Sequence, residues 1–333
     1  MRIVPAIRLL LALAVLSAAA QAAKTLDIYF IDVEGGQSTL VVAPSGQSLL
    51  IDTGYAGNSG RDANRIAQAA KKAGVKRIDY LLITHHHPDH VGGVSNLLER
   101  LPVTTFLDHG PSVELSGQYP EPYQKAFANA QHKVVAPGDT IPVKGLEVTV
   151  VNAAGKAIAR PGEPNPYCAG VQPHPEGTGN ETGENPQSAG VVIEYGKFRF
   201  ADLGDITWNK QYQLLCPENR IGKVDLYLTT HHGGETLKPI WALAPRVDIM
   251  NNGARKGGNS ADWKILKASP GLEDMWQLHF AVAGGEEANV PDAFIANLER
   301  DDDGHYLKVS ASEDGSFTVL NTRNKYTKSY AAK

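Results

Sequence analysis

The sequence predicts an α/β fold in which two mixed β-sheets pack face to face and helices cover their outer sides. Two observations carry this expectation. Short apolar runs rich in branched residues, bounded by glycine, proline and aspartate, recur in both halves of the chain and read as strands. Each half also contains segments with apolar residues at helical spacing, so each set of strands has helices to cover one face. No internal repeat at solenoid period competes with this reading.

Residues 1–22 stand apart from the fold. Arg2 and Arg8 give a positive start, residues 9–16 an apolar stretch, and Ala20-Gln21-Ala22 a small-x-small cleavage site. They read as a signal peptide, which places a mature domain of residues 23–333 in the periplasm or outside the cell. The apolar stretch is too short to span a bilayer comfortably, so no stable membrane association is expected. Losing Arg2 and Arg8 takes Lys plus Arg from 32 to 30 against 36 Asp plus Glu, a net charge of −6. A general nucleic-acid binder is normally basic, so nucleic acid enters only as a possible substrate. Cys168 and Cys216 would meet an oxidising compartment, where a disulfide and two buried free thiols are both open readings.

Residues 26–32, 39–43 and 48–52 read as three strands separated by glycine-bearing turns. Residues 62–73 place Ile66, Ala69, Ala70 and Ala73 at helical spacing and stop at Gly74. Strand 78–84 leads into a histidine-rich loop, and helix 94–101 follows Gly92-Gly93. Strand 103–107 ends in Asp108-His109-Gly110; helix 122–131 and strands at 133–136 and 146–152 come next. Residues 154–187 lack periodicity, hold six glycines and six prolines, and read as an irregular insert of the kind that is usually functional or disordered. Strands 190–195, 198–202, 224–229 and 246–251 alternate with helices near 208–215, 237–244 and 261–268. Paired strands 306–311 and 317–320 close the chain across Glu313-Asp314-Gly315.

The chemistry concentrates in the loop after residue 84, which reads H-x-H-x-D-H: His85, His87, Asp89 and His90. Imidazole and carboxylate are the ligands of choice for zinc and its neighbours. Residues two apart in an extended stretch point the same way, so His85 and His87 can share one metal. Asp89 and His90, turned by Pro88, can serve a second. Asp205, directly after an apolar strand and Gly204, can bridge two cations; its competing reading is a helix cap, and Asp202 is a weaker candidate for the bridge. His231 ends another apolar strand before Gly233-Gly234 and reads as a ligand, with His232 beside it acting on the charge that develops on substrate. His109 is the candidate third ligand of the first metal, and His174 on the insert is the fallback. His132, His279 and His305 read as structural. Asn252, Arg255 and Lys256, in a glycine-flanked turn after strand 246–251, are candidate substrate contacts; the alternative is a solvated basic turn.

Taken in order, these residues resemble the metallo-β-lactamase superfamily of αββα metallo-hydrolases, over roughly residues 26–252. The finer similarity is to its ComEC-like branch, whose opening D-V-G-x-G-D turn corresponds here to Asp32-Val33-Glu34-Gly35-Gly36-Gln37. The LLIDTG string at 49–54, Asn185, Ser188 and the His231-His232-Gly233 string also fit. Glu34 and Gln37-Ser38 depart from the pattern, and the insert at 154–187 is longer than this branch requires. The resemblance implies two divalent ions, zinc foremost with manganese or iron as alternatives. It implies that Asp89 binds the second ion and orients a metal-activated hydroxide for attack on a phosphodiester-type or small-molecule substrate. The alternatives are a lactam, lactone or thioester hydrolase of the same fold, or a binding protein without chemistry.

Overall fold

The computed structural model describes residues 25–175, 177–298 and 303–333, so the expected signal peptide lies outside the described residues. In chain order the first half forms β1 (Leu26–Phe30), β2 (Thr39–Val42), β3 (Ser48–Ile51), α1 (Arg61–Lys72), β4 (Ile78–Leu82), α2 (Pro88–Val91), α3 (Val94–Leu98), β5 (Val103–Asp108), α4 (Glu121–Phe127) and β6 (Gln131–Val134). The second half forms β7 (Glu147–Ala153), β8 (Lys156–Ala157), β9 (Glu163–Pro164), β10 (Gly190–Tyr195), β11 (Phe198–Asp202), α5 (Trp208–Leu215), β12 (Glu218–Asn219), β13 (Leu226–Leu228), β14 (Val247–Met250), α6 (Ser260–Lys267), β15 (Asp274–His279) and β16 (Ile295–Asn297). Three strands follow, β17 (Leu307–Ala311), β18 (Phe317–Asn321) and β19 (Thr327–Tyr330).

These strands build two large sheets, as expected. One has nine strands in the order β19-β18-β17-β1-β2-β3-β4-β5-β6, the other eight in the order β16-β15-β14-β13-β11-β10-β7-β8. Both are mixed: β3 to β6 run parallel in one, and β11, β13, β14, β15 and β16 run parallel in the other. Alternation of side chains then sorts the apolar residues into three cores. Ile28, Phe30, Val41, Leu82, Val150, Ile193, Phe200, Leu228 and Trp276 fill the space between the sheets. Ile31, Leu40, Ile66, Ala70, Leu81, Leu97 and Tyr123 join the outer face of the first sheet to α1, α3 and α4. Val192, Ala201, Leu214, Tyr227, Met250 and Leu266 join the second sheet to α5 and α6. This is a helix–sheet–sheet–helix sandwich.

Several boundaries differ from the expected ones. The helix read over 94–101 is the shorter α3, and a separate single turn, α2, precedes it in the ligand loop across Gly92-Gly93. A Cβ at Gly93 would lie 2.1 Å from the Thr53 carbonyl, so the chain passes too close to the 52–54 turn for any other residue. The helix near 237–244 is a 3-10 helix over Lys238–Leu243, started by Pro239. Strands β15, β16 and β19 escaped the pattern because β15 and β16 are buried on both faces and show no alternation, while β19 is a short edge strand. The insert is not structureless. It holds β8 and β9 and three 3-10 turns, and Cys168 within it is joined to Cys216 by a disulfide. Among the described residues, no helix is long and apolar enough to cross a membrane.

Candidate metal centre

Parallel strands deliver their carboxyl ends to one edge of a sheet, and loops there are where open α/β sheets place ligands. Here both sheets contribute. The loop after β4 carries His85 to His90, the segment after β11 carries Asp205, and the turn after β13 carries His231 and His232. The backbone is forced at two of these points. His231 and His232 both have left-handed φ, 52° and 54°, a conformation that non-glycine residues adopt at a cost. Asp52, at the end of β3, is also left-handed at 60°. Gly36 is required by proximity, since a Cβ there would lie 2.5 Å from the Asp89 carbonyl.

Four side chains converge. His90 Nε2 is 3.2 Å from Oδ2 of both Asp89 and Asp205, and His232 Nε2 is 3.3 Å from the same two atoms. All four residues are buried. None of these approaches has hydrogen-bond geometry at the imidazole, for Nε2 of His90 and of His232 is buried without a hydrogen-bond partner, as is Oδ1 of Asp205. His90 Nδ1 lies 2.7 Å from Oδ2 of Asp52, to which it donates, so in the neutral ring Nε2 carries the lone pair that a cation would take in place of a proton. Asp52 is itself held by the N–H and hydroxyl of Thr84, at 2.8 and 2.7 Å. Two carboxylates and two imidazole nitrogens, buried and aimed at a common point, fit a divalent cation.

The electrostatics agree. Burial alone would raise the carboxyl pKa of Asp89 and Asp205, but the imidazoles of His90 and His232 outweigh it and hold both well below the usual carboxylate range. Burial would lower His90, yet Asp205, Asp89 and Asp52 push it well above its ordinary value, and Asp205 with Asp89 also raises His232 against its burial. The knot is therefore a place of concentrated negative potential that attracts positive charge. Lys256 supplies some: its ammonium contacts Oδ2 of Asp89 and lies 3.3 Å from the Tyr55 hydroxyl.

His85 and His87 lie beside this knot. His85 Nε2 is 3.0 Å from His87 Nδ1, and the His85 ring is 4.0 Å from that of His90. Burial, then the neighbouring His90, drives His85 well below its ordinary pKa, which keeps it neutral and able to donate a lone pair. Among the described residues, no third His, Cys, Asp or Glu completes a close group with this pair.

The expected third ligand is a correction. His109 does not face His85 and His87; its Nε2 sits 3.0 Å from Oε2 of Glu184, in a cluster with His86. The fallback, His174, is half-exposed and stacks on Trp208 at 4.8 Å. The order of the histidine pair is also reversed. His232, not His231, enters the four-residue knot, whereas His231 Nε2 is 3.9 Å from Asp205 Oδ2 and 3.3 Å from Asn185 Nδ2. Two consecutive left-handed residues invert which ring turns inward, and spacing alone does not show this. Asn252 is corrected as a substrate contact: it is fully buried and its amide donates to the His279 carbonyl at 2.8 Å. Arg255 is exposed. Asp202 turns away from the knot and takes both bonds of the Gln37 amide, at 3.0 and 2.9 Å. Gln37, which departs from the ComEC-like opening pattern, is thus committed to a buried carboxyl whose pKa burial raises to about 7. Sequence reasoning missed Asp52, Tyr55 and Glu184 as members of the site; the aspartate in LLIDTG was the signal for the first.

A family model described as "Metallo-beta-lactamase superfamily" matches residues 31–206, just over half of the chain. A hydroxyacylglutathione hydrolase of Xanthomonas campestris pv. campestris (strain B100) is 30% identical over 115 residues, covering 34% of this chain and 36% of that protein. One from Xylella fastidiosa (strain 9a5c) is 29% identical over 115 residues, with the same coverage of 34% and 36%. The chain thus spans about a third of the length of the curated relatives it matches. Among solved structures, the metallo-beta-lactamase fold protein YhfI from Bacillus subtilis shares 12% identity over 76% of this chain and 95% of that chain, with a TM-score of 0.47.

Proposed function

The chain belongs to the metallo-beta-lactamase superfamily of metal-dependent hydrolases, and from that premise we propose that it is a binuclear hydrolase, exported by its leader, that acts on phosphodiester-type substrates. The observation that carries the reading is the convergence of Asp89, His90, Asp205 and His232, with His85 and His87 alongside. Asp89, His90, His232 and Asp205 would hold one divalent ion, and His85 and His87 a second. Bound there, the ions would activate water near neutral pH and act as Lewis acids toward the substrate.

The protein's own groups do the rest. Asp89 accepts from the attacking water and orients it. Lys256, seated between Asp89 and Tyr55, meets the anionic part of the substrate. His231, partly exposed with Glu235 Oε2 3.6 Å from its Nδ1, would face the leaving group. This assigns His231 the role first given to His232. The ammonium of Lys256 favours a phosphodiester over a neutral lactam. One observation supports a second reading: relatives about 30% identical over 115 residues of this chain are named hydroxyacylglutathione hydrolases, which favours a thioester.

Metal content by plasma mass spectrometry, measured beside cleavage of bis-p-nitrophenyl phosphate and of a hydroxyacylglutathione before and after chelation, tests both. Two ions per chain with chelator-sensitive phosphodiester cleavage is the expected result. Two ions with thioester cleavage alone would transfer the reading to the second substrate class, and a protein that takes up no ion would sink both.

A further inference from the structure

We propose that Glu184 is a positioning residue that keys the 154–187 insert to the ligand loop and holds His87 and His231 in register. The proposal rests on the two-ion reading above. The Glu184 side chain is 1% exposed and its carboxylate accepts four hydrogen bonds. Oε2 accepts from the His86 N–H at 2.9 Å and from His109 Nε2 at 3.0 Å. Oε1 accepts from the Ser112 hydroxyl and the Val113 N–H, both at 2.7 Å. His86 separates His85 from His87, so the first of these bonds fixes the peptide that sets the spacing of the two rings. The Glu184 N–H in turn donates to Glu114 Oε1 at 3.0 Å, and that oxygen lies 3.3 Å from His87 Nε2. Gly183 makes the approach possible: its φ is 91°, and a Cβ there would lie 2.4 Å from Glu114 Oε1. The next residue, Asn185, reaches His231 at 3.3 Å. One short segment therefore touches both flanks of the site.

The clamp is not a third ion site. Every donor to Glu184 is an N–H or O–H, and the four bonds use both oxygens fully. The loop that supplies three of those donors is itself anchored by Asp108, which accepts from the Gly110 N–H at 2.8 Å, the Tyr123 hydroxyl at 2.8 Å and His132 Nε2 at 2.6 Å. Outer partners of metal ligands typically contribute about 10–100-fold in metal affinity or activity.

The test is a titration of chelator-dialysed protein with Co(II), read by its visible ligand-field bands. The wild-type protein should take two equivalents. Glu184→Gln keeps the shape and the Ser112 and Val113 bonds but turns an amide NH2 toward the His86 N–H. It should bind one equivalent about 10–100-fold more weakly, with shifted bands, and leave the other unchanged. His109→Gln retains an N–H donor to Glu184 and should titrate as wild type, whereas His109→Ala should not; this pair carries the test if Glu184→Gln does not fold. Wild-type affinity and bands in Glu184→Gln or in His109→Ala overturn the proposal. Equal losses in His109→Gln and His109→Ala also overturn it, because they make the imidazole itself a ligand. A wild-type protein that binds no Co(II) brings down the two-ion reading instead, and is told apart because the variants play no part in it.

Discussion

Two buried clusters on neighbouring loops are built from the same residue types and are chemically opposite. In the knot of Asp89, His90, Asp205 and His232, the inward nitrogens have no hydrogen-bond partner. In the clamp of His86, His109 and Glu184, the carboxylate is saturated by donors. A buried donor or acceptor left unsatisfied costs about 1–3 kcal/mol, so several in one place call for a compensating ligand. The clamp leaves one such atom, His86 Nδ1, while its carboxylate is already filled by four donors. Histidine and carboxylate in proximity thus say little about metal binding until the hydrogen bonds are counted.

The largest test of that contrast removes a carboxylate from the knot. Asp205→Asn should lower kcat/KM by at least about 10³-fold, roughly 4 kcal/mol of transition-state stabilisation, and reduce metal content below the wild-type value. Full activity with full occupancy would erase the distinction between the clusters. A smaller effect separates the two adjacent histidines. His232→Ala should lose bound metal together with activity. His231→Ala should keep its metal and lose about 10²-fold in kcat, the usual scale for a positioned acid–base group. If metal loss follows His231 instead, the inward ring has been misidentified.

Much of this was legible in the sequence because it rests on local pattern. H-x-H-x-D-H after an apolar strand put four candidate ligands on one loop, which the fold sets at a sheet edge, and the strand preceding Gly204-Asp205 brought a fifth candidate there. What was not legible depends on long-range register or on backbone handedness. His109 ends a strand just as His231 nearly does, yet it is captured by Glu184, 75 residues away. The reversal of His231 and His232 turns on two positive φ values that no residue type announces, since neither is glycine. The Cys168–Cys216 bond, left open by composition, joins positions 48 apart in sequence, and only the fold shows that they meet.

Asp248 extends the comparison to a third case, a buried carboxyl that is neither knotted nor clamped. It lies on β14, about 1% exposed, and its one hydrogen bond comes from the Thr229 hydroxyl at 2.6 Å. Burial dominates and raises its pKa to about 7, with the Thr229 bond opposing. The folded state therefore holds this proton more tightly than the unfolded chain does. A raised carboxyl contributes stability below its unfolded pKa, near 3.9, and loses that contribution as pH rises through about 7. Asp248→Asn cannot ionise, so its stability relative to wild type should improve between pH 5 and pH 8, by on the order of 2 kcal/mol. Urea unfolding at both pH values measures this directly as a difference of differences, in which every other titrating group cancels. A pH-independent difference would mean that Asp248 keeps its charge inside the sheet, and that a single hydroxyl does for it what two imidazoles do for Asp205.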